Sequence, residues 1–253
     1  MTSLVELELA DDGVAVVTLA DPGRRNALSK ELSDDLATAV DAAIARDAGA
    51  IVLAAQPPVF CSGGSLDALL AREHPLGTLY EGFLRLASAP IPTIAAVNGG
   101  AIGAGVNLPL ACDVVVAGET ARFDPRFLDV GIHPGGGHLW RLIQRVGTQG
   151  AAALVLCGDS LTGAEAVTAG LAWRCVPDAD VLATAGKLAK RAAGRSRPLV
   201  RRTKESLVAS IPLSDAAEAV ALELEAQQWS VEQPEFPEAV KKVQAAIAAR
   251  SRS

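Results

Sequence analysis

Hydrophobic and polar positions alternate at the start of the chain. Val5, Leu7 and Leu9 are interleaved with Glu6 and Glu8, and the apolar stretch Val14–Leu19 follows Asp12-Gly13. Period-two alternation on both sides of an Asp-Gly pair predicts a β-hairpin. Asp21-Pro22-Gly23 breaks this pattern, and the period then becomes helical. Leu32, Leu36, Val40 and Ile44 form one stripe, with Ser29 placed to cap it. Residues 50–54, 92–97 and 113–117 are short apolar runs without alternation, the signature of strands buried on both faces. Between them, residues 66–73 and 77–88 read as short helices, residues 56–65 as a Pro/Gly loop and residues 98–105 as a Gly/Ala loop. Strand, loop and helix recurring in this order predict an α/β fold with a largely parallel sheet.

From about Gln149 the strand signals fade. Helices are predicted over 149–157, 163–169 and 179–193, and beyond Arg195 three helical segments are separated by prolines. The last starts at Pro237 and spaces Phe236, Val240, Val243 and Ile247 helically. Helices appended after an α/β part must bury such stripes somewhere, and a partner subunit would serve. The expected organisation is a core over 1–195 and a helical oligomerisation region over 196–253.

Composition narrows the classes. Of 253 residues, 50% are hydrophobic, 21% are charged and the formal net charge is −6. The chain is too apolar for disorder, and its acidic balance lacks the electrostatic footprint of a nucleic-acid binder. No apolar run approaches the ~20 residues of a membrane-spanning helix. The carboxylates among the first ten residues do not fit a signal peptide. Cys61, Cys112, Cys157 and Cys175 form no CxxC and have no His cluster beside them, which argues against a zinc site or a disulfide framework. A reduced, cytoplasmic protein without metal is expected.

Two glycine-rich loops follow buried strands and open helices: Phe60-Cys-Ser-Gly-Gly-Ser-Leu66 and Val97-Asn-Gly-Gly-Ala-Ile-Gly-Ala-Gly-Val-Asn107. Free N–H groups at two such helix starts, brought together, would bind an oxygen that gains negative charge during reaction. Alternatively the glycines serve only tight turns or close packing. The second loop is neither a dinucleotide fingerprint nor a P-loop, and no nucleophile elbow is present. A third stretch, Ala121 to Gly137, carries Asp124, Asp129, His133 and a glycine triplet.

Taken together, these pieces resemble the crotonase (enoyl-CoA hydratase/isomerase) superfamily. Asp21-Pro-Gly-Arg-Arg-Asn-Ala-Leu28, the two glycine loops, Ala111-Cys-Asp-Val-Val-Val-Ala117, Gly131–Gly137, Leu161-Thr-Gly-Ala-Glu-Ala166 and Gly170-Leu-Ala occur in the family's order over about residues 10 to 180. The resemblance implies a spiral of ββα repeats with a helical C-terminal trimerisation region, assembled as a homotrimer or a dimer of trimers. It implies an acyl-CoA or enoyl-CoA thioester as substrate, with no further cofactor. Two backbone N–H groups, those of Gly64 and Ala104, would hold the thioester oxygen. Coenzyme A contacts would lie around Arg25, Ala27, Ser62, Gly64, Ser65, Leu66, Gly103, Ala104 and Phe127, with Arg24 or Arg25 either near the phosphates or simply on the surface.

The chain departs from the family's acid–base pattern. Hydratases of this family use two glutamates, and the matching positions here are Asn107 and Phe127. An amide can hold a water but cannot take its proton, and a phenyl ring can do neither. Replacements within the sequence are His133, Asp124 and Asp129. A neutral His could serve as base at position 133, and Asp124 would share a helical face with Phe127. Their plainer roles are a hydrogen-bonded structural His, a turn-capping Asp and a solvated loop Asp. Asp67 and Glu73 read as solvated helix charges, Cys61 as a small buried hydrophobe, and Ser62 and Ser65 as loop hydrogen-bonders. Pro109 predicts a local bend. The expected activity is of the enoyl-CoA hydratase or isomerase type through a thioester enolate. A non-turnover acyl-CoA binder and a thioester hydrolase are the alternatives.

Overall fold

A computed structural model describes residues 3–72 and 74–250, with the backbone alone at Arg250; Glu73 lies outside the described residues. The chain divides after Arg195 into two compact units.

The first unit begins with the hairpin that the alternation predicts. Strands β1 (Val5–Leu9) and β2 (Val14–Leu19) pair antiparallel with Val5 opposite Leu19. Helix α1 (Lys30–Ala45) follows, and the Ser29 hydroxyl accepts a hydrogen bond from the Leu32 N–H as its cap. Strands β3 (Ala50–Ala55), β4 (Thr93–Val97) and β6 (Val114–Gly118) add in parallel to β2. A further strand, β9 (Arg174–Val176), completes the order β1-β2-β3-β4-β6-β9.

Every residue of β3 and β4 is buried, which is why their sequences are apolar without alternation. Along β3, Ile51 and Leu53 face a core shared with Leu32, Leu36 and Phe83. Val52 and Ala54 face the other way, with Ile94 and Val116, and are covered by α7 (Val181–Ala193) through Val181, Ala185 and Ala189. The four-residue spacing on α7 is one helical face laid across the sheet.

Several short elements escaped the pattern. Within the expected loop 98–105 lies β5 (Gly100–Ile102), which pairs with β7 (Arg122–Asp124), and β7 pairs in turn with the two-residue β8 (Leu161–Thr162). Strands of two or three residues are too short to carry a periodic signal. Helix α2 (Leu66–Ala71) is shorter than expected. The segment 77–88 splits into a 3-10 turn at Leu76–Tyr80 and helix α3 (Glu81–Ala87). A 3-10 turn at Gly103–Val106 runs into α4 (Asn107–Ala111), so helix geometry changes just ahead of Pro109. Helix α5 (His138–Leu156) starts eleven residues before the expected 149, with non-helical backbone at Gly147, and α6 spans Gly163–Thr168.

The second unit is helical: α8 (Arg197–Ser210), α9 (Ala216–Val231) and α10 (Phe236–Arg250). Leu224 of α9 and Val243 and Ile247 of α10 are exposed on this single chain. No described helix is long and apolar enough to cross a membrane.

Strands β2, β3 and β4 run parallel, so their C-terminal ends share one edge of the sheet. The loops that follow Leu19, Ala55 and Val97 leave from that edge, the usual place for a ligand in an open parallel sheet. Asn26 fastens two of them. It is buried, its Nδ2 donates to the carbonyls of Gln56 and Val59 at 2.8 and 2.9 Å, and its Oδ1 accepts from the Asp21 N–H at 2.9 Å.

Candidate active site

The first glycine loop behaves as an extra strand between two others. On one side, the Ser62 N–H donates to the Arg25 carbonyl, the Leu28 N–H to Gly63 and the Ser65 N–H to Leu28. On the other, the Cys61 N–H donates to the Gly100 carbonyl and the Ile102 N–H to Cys61. In an extended segment successive N–H groups point to opposite sides. Leu28 bonds the Gly63 carbonyl and the Ser65 N–H on either side of Gly64, so the Gly64 N–H faces away from Leu28, and Gly64 lines the cavity. Ala104, in the first turn of the 3-10 segment Gly103–Val106, has an N–H without an intrahelical acceptor, and it lines the same cavity.

Glycine is required where these loops touch. A Cβ on Gly63, whose φ is +101°, would lie 2.8 Å from the Ile102 carbonyl oxygen and 3.7 Å from the Ala104 nitrogen. A Cβ on Gly105 would lie 2.6 Å from the Cys61 carbonyl oxygen. Only without those side chains do the Gly64 and Ala104 segments sit against each other.

The cavity holds about 350 Å³. One wall is apolar, with Leu28, Leu69, Leu76, Leu79 and Ile132, and Asn107, Phe127 and His133 complete the other. A second groove of about 320 Å³ adjoins it through Ser62, Gly64 and Leu66 and extends past Ala27, Ser65 and Arg24. Of the residues expected to contact coenzyme A, Ala27, Ser62, Gly64, Ser65, Leu66, Gly103, Ala104 and Phe127 line one hollow or the other. Arg25 lines neither. It has φ +55° and is exposed, while Arg24 takes the position beside the groove, its Nε 2.7 Å from the Asp21 carboxylate.

Among the described residues, the titratable side chains lining the main cavity are Tyr80, Arg126 and His133. The two aspartates do not. Asp124 ends strand β7 rather than lying on a helix, and its buried carboxylate is paired with Arg126 and, at 3.6 Å, with Arg122. The helical face it was expected to share with Phe127 therefore does not exist. Asp129 is exposed on a 3-10 turn. His133 is exposed at the cavity, with Nδ1 2.7 Å from the Pro134 carbonyl oxygen. That oxygen only accepts, so Nδ1 carries a proton, and in the neutral ring the lone pair is on Nε2. Cys61 is fully buried, and burial pushes its thiol up to about 11, which leaves it a packing residue.

Sequence reasoning passed over His138. It is 1% exposed, and its Nδ1 lies 2.9 Å from Asn107 Oδ1. Its ring meets that of Phe127 edge-on, with centroids 4.9 Å apart. Asn107 and Phe127, the two positions singled out in the sequence for the expected acid–base pair, therefore both touch this one imidazole. Asn107 Nδ2 donates onward to the Gly135 carbonyl at 3.3 Å. Nε2 of His138 is buried without a hydrogen-bond partner. Such an atom costs about 1–3 kcal/mol, which an apolar residue here would avoid. A signal was available: His138 precedes the buried Leu142 by four residues, and so belongs to the inward face of α5.

The third loop is held by close packing. Gly136 and Gly137 have φ +70° and +78°, and a Cβ on Gly136 would lie 2.5 Å from the Phe83 ring. Arg141 Nη1 donates to the Gly136 carbonyl at 2.6 Å. This fixes Gly135, and through it Asn107.

A family model described as enoyl-CoA hydratase/isomerase matches residues 10–243. The chain belongs to the enoyl-CoA hydratase/isomerase family. A Mycobacterium tuberculosis relative named "Probable enoyl-CoA hydratase EchA14" is 41% identical over 237 residues, covering 89% of this chain and 92% of the relative. The 2,3-dehydroadipyl-CoA hydratase of Escherichia coli K12 is 37% identical over 199 residues, 77% of this chain and 78% of the relative. The crystal structure of an enoyl-CoA hydratase from Polaromonas sp. JS666 superposes with a TM-score of 0.88 at 27% identity, covering 96% of this chain and 97% of that one. Membership in the enoyl-CoA hydratase/isomerase family brings the crotonase fold and an acyl-CoA enzyme.

Burial, and secondarily the nearby Arg141 charge, lowers the His138 pKa from 6.5 to about 4. The unfolded chain therefore binds a proton between these values that the folded chain refuses, and stability falls as pH drops through that window. Between pH 7.5 and pH 5 this contributes about 2 kcal/mol of lost stability. Urea denaturation at the two pH values should show wild type losing about that much more than His138→Asn; equal losses would contradict the assignment.

Proposed function

We propose that this chain binds an acyl-CoA thioester with its carbonyl oxygen between the N–H groups of Gly64 and Ala104. In this reading it transfers one proton at the carbon beside that carbonyl, with His133 as the base. The convergence of two uncommitted backbone donors with His133 on one cavity carries the proposal. Proton loss beside a thioester carbonyl makes an enolate whose charge falls on the oxygen. Donors fixed in advance stabilise it without reorganisation, each worth about 3 kcal/mol of barrier. The groove past Ala27, Ser65 and Arg24 takes the coenzyme A portion in this reading, and the apolar wall takes the acyl chain.

A single base suits an isomerase-type proton shift better than hydration. Adding water needs one group to deprotonate the water and a proton supplied to the adjoining carbon, and neither Asn107 nor Phe127 titrates. The same two residues favour a second reading, an acyl-CoA binder without turnover. A thioester hydrolase has less support, because among the described residues no carboxylate lines the main cavity and the Cys61 thiol is buried.

The reading includes a cytoplasmic setting and assembly of three copies, or of two such trimers, through the exposed apolar residues of α8–α10. Light scattering should give the mass of three or six chains; a monomer at micromolar concentration contradicts this part.

The activity test offers 3-enoyl-CoA and trans-2-enoyl-CoA to the protein in D₂O and follows both by mass spectrometry. The expected result is conversion of the 3-enoyl to the 2-enoyl thioester with deuterium uptake, slowed about 10²–10⁴-fold in His133→Gln. Tight binding without exchange would support the silent binder. Water addition at the same rate in wild type and His133→Gln would overturn the proposal.

A further inference from the structure

The amide of Asn107 can be oriented from its surroundings. The Gly135 carbonyl only accepts, so the Asn107 atom facing it is Nδ2. Oδ1 therefore faces His138 and accepts from Nδ1–H, which makes His138 the Nδ1-protonated tautomer with an unprotonated, unpartnered Nε2. Counting the amide's bonds, Oδ1 is held by His138 and one N–H by Gly135. A second N–H is left, and Asn107 lines the cavity. Asn107 is only 1% exposed, so the one polar group it has left to present at the cavity wall is this second N–H, a donor, where a water-activating residue would need to be an acceptor.

The donor's place can also be estimated. Asn107 follows Ala104 by three residues in continuous helical backbone, so its side chain stands about one turn, ~5–6 Å, from that of Ala104. The third acyl carbon lies two bonds beyond the thioester carbonyl carbon, and an oxygen on it lies three bonds beyond, on the way to this donor. Removing a proton between two such carbonyls spreads the charge over both oxygens. Gly64 and Ala104 would face one, and Asn107 the other.

We propose that His138 is a positioning residue that holds the Asn107 amide as a hydrogen-bond donor into the cavity, so that the site selects 3-oxoacyl-CoA thioesters. This rests on the thioester reading above and names its substrate class.

Calorimetric titration with acetoacetyl-CoA and with butanoyl-CoA tests it, since the two probes differ only in the oxygen at the third carbon. Wild type should prefer acetoacetyl-CoA by about tenfold, the worth of one well-made hydrogen bond. Asn107→Leu and His138→Phe should each bring the ratio of the two Kd values near one. His138→Asn, which keeps a donor at the Nδ1 position, should restore it. Nitrogen-15 NMR of wild type should show a protonated Nδ1 on His138, a readout independent of whether any variant folds. Binding of both thioesters without preference, or an Nε2-protonated tautomer, overturns this proposal and leaves the thioester reading standing. Binding of neither overturns the thioester reading and this proposal with it.

Discussion

The site depends on backbone hydrogen bonds that thread Cys61–Ser65 between Leu28 on one side and Gly100–Ile102 on the other. These bonds continue the sheet past the ends of β3 and β4, where the strands themselves have stopped. They leave the Gly64 N–H pointing off the pairing, beside the first turn that exposes Ala104. The price is glycine at Gly63 and Gly105, since a methyl group at either position would strike the neighbouring loop's carbonyl. The rigid part of the fold thereby delivers main-chain donors rather than side chains to the cavity, and under the proposed function the binding of the thioester oxygen is insensitive to rotamers.

Around that frame the side chains have an unusual character. The polar atoms at the back of the cavity form a hydrogen-bonded chain, from the Gly135 carbonyl through the Asn107 amide to the His138 imidazole, and it ends on a buried lone pair. Burial keeps the imidazole neutral near pH 7. Phe127 packs on its edge and keeps the back of the pocket apolar. The carboxylates nearby are turned elsewhere, Asp124 to Arg126 and Arg122, and Asp129 to solvent. Family membership is thus combined with a cavity in which Asn107 and Phe127 are both packed against one buried imidazole.

Much of this was legible in the sequence. The hairpin, the buried strands β3, β4 and β6, the cap at Ser29 and the glycine loops all leave local signals, because each is dictated by neighbours within a few residues. β5, β7 and β8 were hidden because they are two or three residues long and exist only through pairing with distant segments. Asp124 was misplaced for the same reason: it ends strand β7, so the helical face expected to be shared with Phe127 does not form. His138 escaped because its importance lies in contacts with Asn107 and Phe127, 31 residues away in one case, and no local pattern announces such a contact. Asn26 stood within a recognised motif, yet its three hydrogen bonds to Asp21, Gln56 and Val59 emerge only when those loops meet.

The central claim is that main-chain donors at Gly64 and Ala104 polarise a thioester carbonyl. The most direct measurement is the infrared stretching frequency of that carbonyl in bound butanoyl-CoA labelled with carbon-13 at the carbonyl. The account predicts a shift to lower frequency on binding, because the two N–H groups pull electron density onto oxygen. A bound thioester whose carbonyl frequency equals that of the free molecule in water would contradict it.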